Sequence, residues 1–152
     1  MGYAMPEQTG VGLHLRLYSR AFIVQTNRSS RPVVFVNLDA GMSSQLLKTQ
    51  VLQRLKSEYG NIFDHDNVML SATHTHSGPA GFFQYTLFDI TSRGFVRQTL
   101  EVMVNGIVQS IRAAYASLTP GRILYAEGLL KNASINRSPV AYLNNPPSER
   151  SR

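Results

Sequence analysis

The chain has 152 residues, 43% of them hydrophobic and 16% charged, with no cysteine. Such a length suits one domain with a real core, and the missing cysteines exclude disulfides, a thiolate metal site and a cysteine nucleophile. The net charge is +6, but the basic residues are scattered and no basic stripe interleaves with aromatics, so nucleic acid is not an expected partner.

In chain order, the opening "MGYAMPEQTG" has neither the basic nor the apolar region of a signal peptide. No later stretch approaches the roughly 20 apolar residues that span a bilayer. "RAFIVQT" (Arg20 to Thr26) predicts a strand, being rich in β-branched and aromatic side chains. "NRSSRP" is a turn, and "VVFVNLD" (Val33 to Asp39) is a second strand. That strand is apolar on both faces, which suits a central position under cover from both sides. The short connection makes the pair a hairpin.

Ser43 and Ser44 then offer N-caps, and Leu47, Val51, Leu52 and Leu55 recur at helical spacing. The predicted helix runs from about Ser44 to Tyr59, with Gly60 as its stop. "NVMLSAT" (Asn67 to Thr73) is a third strand, and its end delivers His74 and His76. A longer helix is expected over about Arg93 to Leu118, stopped by Pro120-Gly121, and "RILYAEGLL" (Arg122 to Leu130) reads as a fourth strand. Residues 139–152 have loop or linker composition. The order of elements implies an α/β fold, a layered mixed sheet flanked by helices. Asp39 and His74 both fall at strand ends, where ligands of such sheets usually sit.

The chemistry concentrates in "SATHTHSGPAGFFQYTLF". In extended backbone, residues i and i+2 point to one side, so both imidazoles can address one site. Two histidines can bind zinc, or one can bind metal while the other handles protons. The bland alternative is two polar residues in a surface turn. Asp39 can orient an active-site group or form a local turn, and Arg137 in "INRSP" can grip a polar group through its planar fork. His65, between Asp64 and Asp66, reads as a solvated loop. Phe82, Phe83, Tyr85 and Phe88 read first as core and second as an apolar wall for a lipid chain.

The segments "SATHTHSGPAGFFQYT", "MGYAMPEQTGVGLHLRLYSRAF" and "INRSPVAYLNNPPSER" resemble the neutral ceramidases, in the same order and across the whole chain. The resemblance implies hydrolysis of the ceramide amide to sphingosine and a fatty acid by zinc-activated water. It implies that His74 is a zinc ligand, and that His76 assists substrate and proton transfer. Arg137 matches an active-site arginine. It also implies Zn2+ as cofactor, ceramide and a membrane surface as partners, and a secretory or cell-surface location. The sequons at Asn27, Asn132 and Asn136 agree with that location. The family's second zinc histidine, its glutamate and its tyrosine have no counterpart here. Residues 1–152 are therefore expected to be part of an N-terminal catalytic domain, truncated at both ends and inactive alone. A non-catalytic lipid-binding or regulatory derivative is the alternative.

Overall fold

The computed structural model describes Met5 and residues 7–150. These divide into two units, Met1–Thr119 and Pro120–Arg152.

The first unit is built on three strands, β1 (Ser19–Val24), β2 (Val33–Leu38) and β3 (Val68–Ala72), in the order β1-β2-β3. β1 and β2 form the expected antiparallel hairpin, with Phe22 opposite Phe35. β2 and β3 run parallel, Val34 beside Val68 and Leu38 beside Ala72. The sheet is therefore mixed, and β2 is central in it.

Helix α1 (Gln45–Tyr59) links β2 to β3. Its ends follow the local chemistry. The Ser44 hydroxyl accepts the Leu47 N–H at 3.1 Å, satisfying one of the orphan donors of the first turn. At the other end Gly60 adopts φ 62° and its N–H reaches the Lys56 carbonyl at 3.0 Å, a left-handed stop that glycine enters without strain.

The long helix begins later than its periodicity suggests. Residues Thr86–Ser92 form a separate short helix, α2, and α3 spans Arg97–Ala116. Arg93 is not the start of α3 but the left-handed close of α2, at φ 61°. Gly94 follows at φ 109°, and its N–H returns to the Asp89 carbonyl at 2.8 Å, so the helical hydrogen-bond run cannot pass through. Gly81 is also required. It sits at φ 85°, and a Cβ there would lie 2.8 Å from Val96 Cγ2.

The core lies between one sheet face and the helices. Val34, Val36 and Leu38 of β2 meet Leu47, Val51 and Leu55 of α1 and Val104, Ile107 and Ile111 of α3. Burying each such side chain stabilises the fold by about 1.5–3 kcal/mol relative to exposure. Arg54 of α1 pairs with Glu101 of α3, and Arg112 of α3 pairs with Glu58 of α1, so charged rims close over the α1–α3 contact. The opposite sheet face is uncovered among the described residues. Phe22, Val33, Phe35 and Met69 are all exposed there.

In the second unit the predicted fourth strand does not form. Arg122–Leu130 has no regular structure and is exposed throughout. A strand exists only as part of a ladder, and no backbone hydrogen bond pairs this segment with another among the described residues. The stretch expected to be loop instead carries two short helices, α4 (Pro139–Leu143) and α5 (Pro147–Arg150). Each has a proline in its first turn, where proline's missing N–H costs nothing and its fixed φ favours the helix.

Candidate active site

The parallel register sets the position of the site. Because Leu38 pairs with Ala72, β2 and β3 end level. The Thr73 N–H then donates to the Leu38 carbonyl at 2.9 Å. The loops that follow, Asp39–Ala40–Gly41 and His74–Thr75–His76, emerge side by side.

His74 leaves the strand at φ 63°, a left-handed conformation uncommon for a side chain with a Cβ, although histidine visits it more than most. The two imidazoles do share one site, but not for the reason the sequence suggested. The backbone is turned at His74 rather than extended. The rings approach edge to face with centroids 5.0 Å apart, and their Nε2 atoms are separated by 3.4 Å.

The His74 Nδ1 lies 2.7 Å from the Gly41 carbonyl oxygen. A carbonyl can only accept, so Nδ1 carries the hydrogen and donates it. In the neutral ring that leaves the lone pair on Nε2, the nitrogen that faces His76 Nε2 at 3.4 Å and the one that could bind a metal. Metal-binding histidines are commonly oriented in this way, with the second nitrogen donating to a backbone carbonyl or carboxylate. Gly41 had no signal in the sequence, because a backbone acceptor 33 positions away leaves no trace in residue type. Among the described residues no group of three or more His, Cys, Asp or Glu side chains could hold a metal. Catalytic zinc takes about three protein ligands, and the described residues offer only part of such a set.

Asp39 stands at the same sheet end, and its bonds make it a structural group. Arg20 donates to its two oxygens at 2.8 and 3.0 Å, and the Tyr18 N–H donates at 3.0 Å. Hydrogen bonding from Arg20 holds the carboxyl below its ordinary pKa, against the opposing pull of desolvation and with help from the Tyr18 N–H. Asp39 thus pins the chain entering β1 to the end of β2. The His65 loop is likewise structural: Asp64 pairs with Arg31, and the His65 carbonyl accepts the Lys48 ammonium at 2.9 Å.

The aromatic run divides. Phe82 and Phe83 are 0% and 2% exposed and stack with centroids 4.3 Å apart. They are core and present no surface to a ligand, whereas Tyr85 is exposed. Arg137 belongs to the second unit, where it is exposed just before α4. Its neighbour Asn136 accepts the Ser138 N–H at 2.9 Å, fixing the turn that carries it.

A family model described as neutral/alkaline non-lysosomal ceramidase, N-terminal, matches residues 1–152. The chain is 53% identical to a neutral ceramidase of Oryza sativa subsp. japonica over all its 152 residues, which is 19% of that protein. It is 47% identical to the neutral ceramidase of Drosophila melanogaster, again over its full length and over 21% of the relative. The crystal structure of neutral ceramidase from Pseudomonas aeruginosa superposes with a TM-score of 0.88 at 47% identity, covering 96% of this chain and 23% of that one. A structure titled as ceramidase complexed with C2 gives the same TM-score over 97% of this chain. The chain therefore spans about a fifth of the length of the curated relatives it matches. With the model matched from residue 1 to residue 152 and the fold superposed at nearly half identity, the chain belongs to the neutral/alkaline non-lysosomal ceramidase family.

Proposed function

We propose that this chain is the part of a zinc-dependent ceramidase that supplies one metal ligand and two groups acting on the substrate. The reaction is hydrolysis of the amide bond of ceramide to sphingosine and a free fatty acid. The observation that carries the reading is the His74–Gly41 hydrogen bond, which leaves Nε2 of His74 as the ligand atom. When bound, zinc supplies Lewis acidity towards the amide carbonyl and brings the pKa of water down to about 7.

The chain's own residues do the rest. His74 fixes one coordination position. His76, whose Nε2 is 3.4 Å from that of His74, is close enough to give a proton to the leaving amine or to hydrogen-bond the carbonyl. Arg137 holds a polar group of the substrate through its guanidinium. The remaining ligands come from outside residues 1–152. Ceramide is a membrane lipid, so the substrate is met at a membrane surface, and the sequons at Asn27, Asn132 and Asn136 favour a protein of the secretory pathway or cell surface. The count of candidate ligands favours a second reading for the chain by itself, a non-catalytic lipid-binding or regulatory module.

The test joins this chain to the remainder of the rice relative and replaces His74 by Ala. Zinc measured by atomic absorption should be lost together with turnover. An unchanged zinc stoichiometry overturns the assignment.

A further inference from the structure

The turn between β1 and β2 holds Asn27-Arg28-Ser29, a tripeptide of the kind that accepts an N-linked oligosaccharide. All three of its residues are exposed. The side chain of Asn27 organises the turn. Its Oδ1 accepts the Ser29 N–H at 3.0 Å, the Ser29 hydroxyl at 2.7 Å and the Ser30 N–H at 2.9 Å, an Asx turn. Backbone N–H groups only donate, so the amide oxygen, not the nitrogen, faces them. Nδ2 is the other arm of that amide, and among the described residues it donates to nothing.

The turn is closed without Nδ2. The Ser30 N–H and hydroxyl both donate to the Asn27 carbonyl, at 3.1 and 2.9 Å, and the Gln25 amide donates to the Ser30 carbonyl at 2.6 Å. Replacing one Nδ2 hydrogen by a sugar therefore breaks none of these bonds and keeps Oδ1 as acceptor. The turn also lies at the Val33 end of β2, whereas the histidine pair lies beyond Leu38 and Ala72. The length of that strand puts roughly 16 Å between the two, so a bulky oligosaccharide at Asn27 leaves the site open. The other two sequons are placed less well. Asn136 adjoins Arg137, proposed to hold substrate, and Pro139 follows its Ser138 and restricts that residue. Asn132 stands in left-handed backbone at φ 60°, and its oxygen accepts nothing from Ser134 among the described residues.

We infer that Asn27 is an N-glycosylation site, preferred over Asn136 as acceptor. The inference rests on the secretory-pathway reading of the protein. In the transfer, Nδ2 of Asn27 forms a bond to the anomeric carbon of the first sugar of a polyprenyl diphosphate-linked oligosaccharide. The bond from that carbon to the diphosphate oxygen breaks, and the lipid diphosphate leaves with the electron pair. One Nδ2 proton passes to a base of the transferase, and the side chain remains an amide. The product is a bulky, solvated group at the surface, carried on the tip of the hairpin.

The experiment expresses the chain joined to the remainder of the rice relative in insect cells, behind a cleavable secretion signal and with a tag that carries its own sequon. Glycoprotein is collected on a lectin, so every molecule read has met the transferase. Enzymatic deglycosylation in water enriched in heavy oxygen marks each formerly glycosylated asparagine, and the tryptic peptides Ala21–Arg28 and Asn132–Arg137 are read by mass spectrometry. The mark is expected on Asn27 in most molecules and on Asn136 about tenfold less often. Ser29→Ala, which removes the hydroxyl of the sequon, should lower the mark on Asn27 at least tenfold, and Ser29→Thr, which keeps a hydroxyl, should retain it. An unmarked Asn27 beside a marked tag, a mark on Asn27 that persists in Ser29→Ala, or equal marks on Asn27 and Asn136 overturns the proposal. The signal is supplied, so the result does not depend on where the protein resides. Fractionation of cells that make the protein naturally tests the secretory reading separately.

Discussion

The two units carry parts of one proposed chemistry but hold them in different ways. In Met1–Thr119 the histidine pair sits at the end of two level strands, backed by a core that includes Val36, Leu55 and Ile111, all fully buried. In Pro120–Arg152 every described residue is exposed, and Arg137 is presented by a local turn rather than by a packed element. Preorganisation is therefore unequal. His74 is aimed by a hydrogen bond across two loops, whereas Arg137 is exposed among the described residues of the second unit. Side chains held by a rigid scaffold lose little entropy when a ligand arrives, and those on exposed segments lose more.

The comparison can be broken kinetically. In the chain joined to the remainder of a relative, His76→Ala and Arg137→Ala should both retain zinc. His76→Ala should lower kcat by about 10²–10⁴, as expected for a positioned acid–base group. Arg137→Ala should act more on KM if its role is to grip substrate. Identical losses confined to kcat for both variants would erase the distinction between the two units.

It can be sharpened by stability. Leu55→Ala or Ile111→Ala should cost about 2–5 kcal/mol in urea unfolding, the usual range for truncating a buried aliphatic side chain. Ile123→Ala in the second unit, where Ile123 is 82% exposed, should stay within about 0.5 kcal/mol. A large effect at Ile123 would show that the second unit packs in solution.

The acid limb gives a smaller effect. Asp39 has its pKa lowered in the folded state, chiefly by hydrogen bonding from Arg20. Its contribution is complete above the unfolded carboxylate pKa of about 3.9, and it fades as pH falls through the lower folded value. Asp39→Asn should lower the melting temperature at pH 7 and flatten its decline below about pH 4 relative to the wild type. Parallel melting curves for the two proteins from pH 7 to pH 2 would remove Asp39 from the account of how β1 is pinned to β2.

The smallest expected effect is at Gly106. Gly106→Ala should raise stability by about 0.5–1 kcal/mol, since the added methyl meets no atom within 4 Å. A loss of stability would mean that position 106 is packed against a neighbour in solution.

Much of the fold was legible in residue order because the signals were local. Runs of β-branched, aromatic and other apolar residues marked β1, β2 and β3, and Ser44 and Gly60 marked the ends of α1 through hydrogen bonds made within one helical turn. The division of α2 from α3 was hidden, since the apolar period runs up to Val96 while a left-handed Arg93 breaks the backbone. Segment Arg122–Leu130 looked like a strand because its side chains suit one, but a ladder needs a partner that composition does not reveal. At the site, the sequence by itself determined that His74 and His76 follow a strand and precede a Gly-Pro turn. Only the tertiary structure decided which His74 nitrogen donates to Gly41, that Asp39 is held by Arg20, and that Phe82 and Phe83 are core. Those outcomes depend on pairing across 33, 19 and more positions, and contact at that range is set by how strands and helices pack, not by the identity of neighbours along the chain.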